Sequence, residues 1–172
     1  MLLQFFLVVA YLCNVCYCEE QSGYIDMTGS RAGKTDGSLL FYWFTPAQVA
    51  VAEDAPLLIW LQGGPGSSGM MGLLFELGPY YLTEELELEP RSVGNWNRDY
   101  NVLFLDQPIG TGYSVAGKAD AYATSEEEVA QDLFFFLQQW YVQPQFAKYS
   151  QLPLFLTGES YGKYCTALHP FP

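Results

Sequence analysis

Short apolar runs alternating with one long helical pattern predict an α/β protein, with a mostly parallel central sheet and flanking helices. Three observations carry this. Leu57 to Leu61 and Val102 to Leu105 are continuous apolar runs of strand length, as expected of strands buried on both faces. Val129, Leu133, Phe136, Leu137 and Trp140 recur at helical spacing. Strands alternating with helices imply parallel pairing. Ligands in such sheets bind beyond the carboxyl ends of the strands, and glycine turns at Gly63 and Gly158 stand at two of those ends.

Gly23 to Met27 and Leu39 to Phe44 read as short strands, the second rich in aromatics. Gly29 to Gly37 between them is a turn region of Gly, Ser, Asp and Lys. Leu57 to Leu61 is stopped by the Gly-Gly-Pro-Gly turn at Gly63 to Gly66, and a short helix is expected from about Ser68 to Leu77. Thr83 to Pro90 is acidic and expected to be exposed. Val102 to Leu105 runs into Asp106-Gln107-Pro108 and the glycines 110 and 112. Ser125 and Glu128 form a capping box for the long helix, Glu126 and Glu127 suit its positive end, and Pro144 stops it. Leu154 to Thr157 is a last short strand running into Gly158; its apolar composition reads as a central position.

The 172 residues fit one domain, and with half of them apolar and a sixth aromatic a packed core is feasible. A net charge of −12 argues against a nucleic-acid partner, because phosphate neutralisation needs a basic surface. Leu2 to Leu12 is an apolar run of signal-peptide length and too short to span a bilayer. Residues 1–18 are therefore read as a signal peptide cleaved near Cys18, with the domain at 19–172 and no membrane span in the mature chain. The alternative for that run is a buried strand or helix. The expected route is secretory, ending outside the cell or in a lysosome or vacuole. Cys13, Cys16 and Cys18 fall in the leader, where ordinary leader residues are a simpler reading of the C-x-x-C pair than metal or redox work. Cys165 then stands alone, with no internal disulfide to form. No metal or cofactor is expected.

Gly158-Glu159-Ser160-Tyr161-Gly162 matches G-x-S-x-G in strand-then-turn context, the pattern of a nucleophile elbow. The following helix would aim its amino terminus where negative charge develops. The amide of Tyr161 is one expected oxyanion donor. A second must come from an earlier strand-end loop, and Gln62-Gly63-Gly64-Pro65-Gly66 is in that place. Read alone that loop is a tight turn; it lacks the Gly-Lys-Ser/Thr ending of a phosphate-binding P-loop.

Several blocks together resemble the serine carboxypeptidases of the α/β-hydrolase fold, most closely their vitellogenic-like branch. They are Trp60-Leu61-Gln62-Gly63-Gly64-Pro65-Gly66-Ser67-Ser68, Phe75-Glu76-Leu77-Gly78-Pro79, Asn95-Trp96-Asn97, Leu105-Asp106-Gln107-Pro108-Ile109-Gly110-Thr111-Gly112-Tyr113-Ser114 and Gly158-Glu159-Ser160-Tyr161, in that order. The resemblance implies that Ser160 is the nucleophile and that the amides of Gly64 and Tyr161 form the oxyanion hole. It also implies that Gln62, Gly63, Glu76 and Glu159 bind a peptide substrate through its free terminal carboxylate. A protonated Glu can donate to that carboxylate, whereas an ionised one repels it.

In this fold the triad runs Ser, then Asp, then His. After Ser160 the chain has no Asp, and its single histidine, His169, follows too closely. The resemblance also implies one more residue between Tyr161 and Lys163, a difference that would turn the following helix by about 100°. The expectation is an amino-terminal part of a serine-type carboxypeptidase, incomplete at its carboxy-terminal side and inactive by itself. The alternatives are a catalytically dead peptide-binding protein and an acyltransferase on the same scaffold. Incompleteness would leave Val129, Leu133 and Phe136 short of packing partners and one edge of the last strand open.

Overall fold

The computed structural model describes residues 19–167, with the backbone alone at 165–167. The expectations for the leader, its cysteines and His169 concern residues outside that range.

Five strands form the central sheet: β1 (Gln21–Asp26), β2 (Leu39–Thr45), β3 (Leu57–Leu61), β6 (Asn101–Leu105) and β7 (Leu154–Gly158). Their order is β1-β2-β6-β3-β7. β6, β3 and β7 are mutually parallel, with Leu61 opposite both Leu105 and Gly158. β1 with β2 and β2 with β6 are antiparallel. The sheet is thus mixed, a correction to the mostly parallel expectation. No helix crosses between β1 and β2; Met27 N–H donates to the Ser38 carbonyl at 2.9 Å and folds the chain straight back. Antiparallel pairing is what such a direct return permits.

β3 and β6 are buried at every position, as their unbroken apolar composition requires. One face of the sheet is covered by helix α1 (Glu126–Tyr141). Ser125 caps it by accepting from Glu128 N–H at 3.4 Å, while the Glu128 carboxylate accepts from Thr124 N–H at 2.7 Å, one residue before the expected position. The apolar stripe of α1 does find partners, contrary to the expected shortage. Phe136 packs edge-on to Tyr42 at 6.0 Å, and Trp140 stacks on Phe146 at 4.2 Å beside Phe44. The chain returning after α1 supplies Phe146 and Tyr149, both buried, and so closes that core locally.

Asp132 lies on the same buried face of α1, where its charge is met by Arg31. The Arg31 Nε donates to both carboxylate oxygens at 3.0 and 3.1 Å, and Ser30 Oγ adds a third bond at 2.5 Å. The 27–38 turn is thereby fastened to the helix.

On the other face, Trp60, Val102 and Phe104 pack against Met70, Leu73 and Leu77. The expected helix here is short and ends in a wide turn over Gly72–Glu76, with Leu77 N–H reaching back five residues to Gly72. Next comes a small antiparallel hairpin, β4 (Tyr80–Leu82) with β5 (Leu88–Pro90), within and beside the acidic exposed stretch. Among the described residues β7 pairs on one side only, with β3; Phe155 is exposed and its neighbours are half-buried. The short helix α2 (Gly162–Ala167) follows it. Among the described residues no helix is long and apolar enough to cross a membrane.

Candidate active site

β3 and β7 end side by side, and the two glycine turns meet there. Ser160 has φ +51°, left-handed backbone that a non-glycine residue adopts only when its surroundings hold it. Glu159 N–H donates to the Leu61 carbonyl at 3.3 Å, Gly162 N–H to the Glu159 carbonyl at 2.7 Å, and Lys163 N–H to the Ser160 carbonyl at 3.4 Å. The last strand thus turns into α2 with Ser160 at the bend. A Cβ at Gly162 would stand 2.1 Å from the Leu61 carbonyl oxygen, so the elbow closes this tightly only with glycine there.

Gly63 faces the elbow. A Cβ on it would lie 2.9 Å from Ser160 Cβ and 3.4 Å from Ser160 Oγ. The Gly63–Gly66 loop therefore runs directly past the serine hydroxyl. It closes on itself through Ser67 N–H donating to the Gly63 carbonyl at 3.2 Å, with Gly64 at φ +112°. Ser160 and Gly64 are exposed; Tyr161 is half-buried, packed on the core, with its ring 5.9 Å from Tyr164.

Beside the serine stand three polar side chains. The buried Gln62 amide donates to Glu76 Oε1 at 3.2 Å and to Glu159 Oε2 at 3.4 Å. Its own oxygen accepts from the Trp60 indole N–H at 2.7 Å, which fixes the direction in which the amide faces. Burial pushes the Glu76 carboxyl above the usual carboxylate range, against the lowering by the Gln62 bond; the nearby Glu159 carboxylate adds to the rise. Gln62, Gly63, Glu76, Glu159 and Ser160, named from the sequence, are brought together. Gly64 and Tyr161 flank the serine in the loop and elbow. Trp60 was not anticipated. The signal was available: residues two apart at a strand end share a face.

Asp106 also escaped the sequence reading. It is fully buried just beyond β6 and accepts from Ser68 Oγ at 2.5 Å, Gly69 N–H at 2.8 Å and Tyr113 N–H at 2.7 Å.

The sequence profile described as serine carboxypeptidase matches residues 14–169. The probable serine carboxypeptidase CPVL of Mus musculus is 43% identical over 151 residues, covering 87% of this chain and 30% of that protein. The vitellogenic carboxypeptidase of Aedes aegypti is 35% identical over 145 residues, covering 84% of this chain and 29% of that one. The crystal structure of Kex1Δp, a prohormone-processing carboxypeptidase from Saccharomyces cerevisiae, superimposes with a TM-score of 0.70 at 31% identity, over 83% of this chain and 31% of that one. The chain spans about a third or less of the length of these proteins. With this likeness in sequence and in backbone, an α/β-hydrolase-like fold with a mixed sheet, and a serine held in a strained bend beside a glycine loop, the chain belongs to the serine carboxypeptidase family.

Proposed function

We propose that this chain carries the nucleophile and the substrate-carboxylate side of a serine-type carboxypeptidase site. The observation that supports it most is the Gln62, Glu76 and Glu159 cluster next to Ser160. Lipid or simple ester hydrolysis has no use for two carboxyls gathered on one amide. A peptide's terminal carboxylate does, provided a proton is present to bridge the charges. Glu76, whose burial favours its protonated form, supplies that donor.

In this reading the terminal carboxylate rests against Gln62, Glu76 and Glu159, with Gly63 beside it. The last peptide carbonyl lies over Ser160 Oγ. The hydroxyl oxygen adds to the carbonyl carbon, and the amides of Gly64 and Tyr161 take up the negative oxygen. The leaving amine departs with a proton, and water hydrolyses the acyl-serine. Moving those protons needs a His oriented by an Asp. The 172 residues hold one His, His169, and no Asp after Ser160. Residues 19–172 alone are therefore proposed to bind such peptides without turning them over. Binding without catalysis is the second reading, favoured by that same composition. We propose that the protein takes the secretory route and works outside the cell or in a lysosome or vacuole; the raised Glu76 carboxyl favours the more acidic of these settings.

A fluorophosphonate labels only an activated serine. Residues 19–172 are expected to label slowly or not at all at Ser160. A chain extended to supply Asp and His is expected to label rapidly and to lose labelling and turnover on Ser160→Ala. Rapid stoichiometric labelling of 19–172 would show that activation arises within these residues and overturn the division proposed.

A further inference from the structure

Asp106 carries a buried carboxylate that the mechanism above leaves without a task. It stands at the carboxyl end of β6, two strands from the elbow, and all three donors that converge on it come from loops. Two of them, Ser68 Oγ and Gly69 N–H, close the segment that begins at Gly63. Ser68 Oγ also accepts from Met70 N–H at 3.1 Å. The third, Tyr113 N–H, belongs to the loop after β6. That loop is held again by Ser114 Oγ, which donates to the Asp106 carbonyl at 2.6 Å and accepts from Phe41 N–H at 2.8 Å.

Close packing removes alternatives to this arrangement. A Cβ at Gly112 would stand 2.2 Å from Asp106 Oδ2, and one at Gly69 would stand 2.2 Å from the Leu105 carbonyl oxygen. Gly112 admits the Asp106 carboxylate and Gly69 admits the Leu105 backbone, where any side chain would push them off. The far end of the Gly63–Gly69 segment is thus anchored on a charge in the interior, while its near end passes Ser160 with no room to spare. Between the anchors, Ser67 N–H closes the turn onto the Gly63 carbonyl. A short loop tied at both ends has its amides aimed in fixed directions, which is what stabilisation of a developing charge requires.

We propose that Asp106 is a positioning residue for the oxyanion hole: it fixes the Gly63–Gly69 segment so that the Gly64 amide faces the oxygen formed at Ser160. This rests on the hydrolase reading above and assigns it a residue that touches no substrate atom. An isosteric Asn keeps the volume but replaces one acceptor oxygen with an NH₂ group. The segment's two bonds share Oδ1 and the Tyr113 N–H takes Oδ2, so an Asn must either turn its NH₂ toward Ser68 and Gly69 or set it against the Tyr113 N–H, and in both cases the anchor is displaced.

The test separates the hole from the carboxylate cluster with two probes. N-acetyl-phenylalaninal bonds through its aldehyde carbon to Ser160 Oγ; the C=O pair moves to the oxygen, which takes the serine proton, giving a hemiacetal oxygen in the hole. N-acetyl-phenylalanine presents only a carboxylate to Gln62, Glu76 and Glu159. Calorimetric affinities are measured for the full chain and for Asp106→Asn and Ser68→Ala, with circular dichroism as the check on folding. The expected result is that Asp106→Asn weakens the aldehyde by at least about tenfold, the scale on which small misplacements act, while the acid binds as before. Ser68→Ala, which loses one of the three bonds, is expected to weaken the aldehyde in the same selective way and serves where Asp106→Asn does not fold. Equal weakening of both probes, or of neither, overturns the positioning role. The hydrolase reading fails separately, in the parent chain, if aldehyde binding is unchanged by Ser160→Ala; the role of Asp106 falls with it.

Discussion

The Gln107 side chain is 2% exposed, and among the described residues neither its nitrogen nor its oxygen has a hydrogen-bond partner. An unsatisfied buried polar group costs about 1–3 kcal/mol, while an apolar group of the same shape carries no such cost. Gln107→Met is therefore expected to raise the thermal midpoint of residues 19–172. A fall by several degrees would show that the amide has a partner. Glu76 invites a second test, through its protonation. Its raised pKa means that the donor form prevails below that value and is lost as the pH climbs through it. Glu76→Gln keeps a donor at every pH, so N-acetyl-phenylalanine is expected to bind the variant with a pH dependence displaced toward neutrality. Ser160 was legible because it sits in a run of residues whose spacing carries chemistry, and Glu76 only through the resemblance of the block around it to the serine carboxypeptidases. Asp106 and Trp60 were not, because their roles depend on donors from loops that meet only in three dimensions.

At the scale of elements, α1 shows how local signals decide a boundary. Ser125 accepts from Glu128 N–H and satisfies one of the free amides of the first turn. Ser125→Ala is expected to cost about 1 kcal/mol, read as a shift in denaturant midpoint. The Glu128 carboxyl is held down to about 2, first by Lys34 and then by the Thr124 amide. A lowered carboxylate stabilises the fold above its unfolded value, and that contribution is lost as pH falls toward about 2. Glu128→Gln is expected to flatten the acid limb of the stability profile over that interval. The effect is small, since Lys34 is half exposed and solvent screens the pair. β3, β6 and α1 were legible because burial on both faces, or on one helical stripe, imposes an unambiguous pattern. The β4–β5 hairpin was hidden in a stretch whose charge signals exposure but not pairing. The wide turn at Gly72–Glu76 has no periodicity of its own, and it is shaped by the Trp60 indole lying against Gly72.

For the whole molecule, packing divides the sheet into a closed side and an open one. The aromatic core under α1 is completed by Phe146 and Tyr149, so the helix finds its packing partners among the described residues. Among the described residues β7 is paired on one side only; its Leu-Phe-Leu-Thr-Gly sequence bears no charge and its Phe155 is half exposed. An uncharged strand with one row of unpaired amides templates pairing with other chains. Residues 19–172 alone are expected to associate in a concentration-dependent way by analytical ultracentrifugation, and Phe155→Lys is expected to reduce that association. A monomer at all concentrations would show that the edge is covered. The strand order was not legible, because β1 and β2 could join the sheet in either direction until the return at Met27 and Ser38 was seen. That the two glycine turns share one end of the sheet was legible, since parallel strands carry their following loops to the same side.

Gln62, Glu76 and Glu159 are proposed to form a receptor for a free terminal carboxylate beside Ser160. The deciding measurement is calorimetric titration of N-acetyl-phenylalanine and its amide into residues 19–172, from acidic to neutral pH. The acid is expected to bind more tightly than the amide at low pH and to lose that advantage as Glu76 gives up its proton. Equal affinity of acid and amide throughout, or an advantage unaltered by Glu76→Gln, would contradict it.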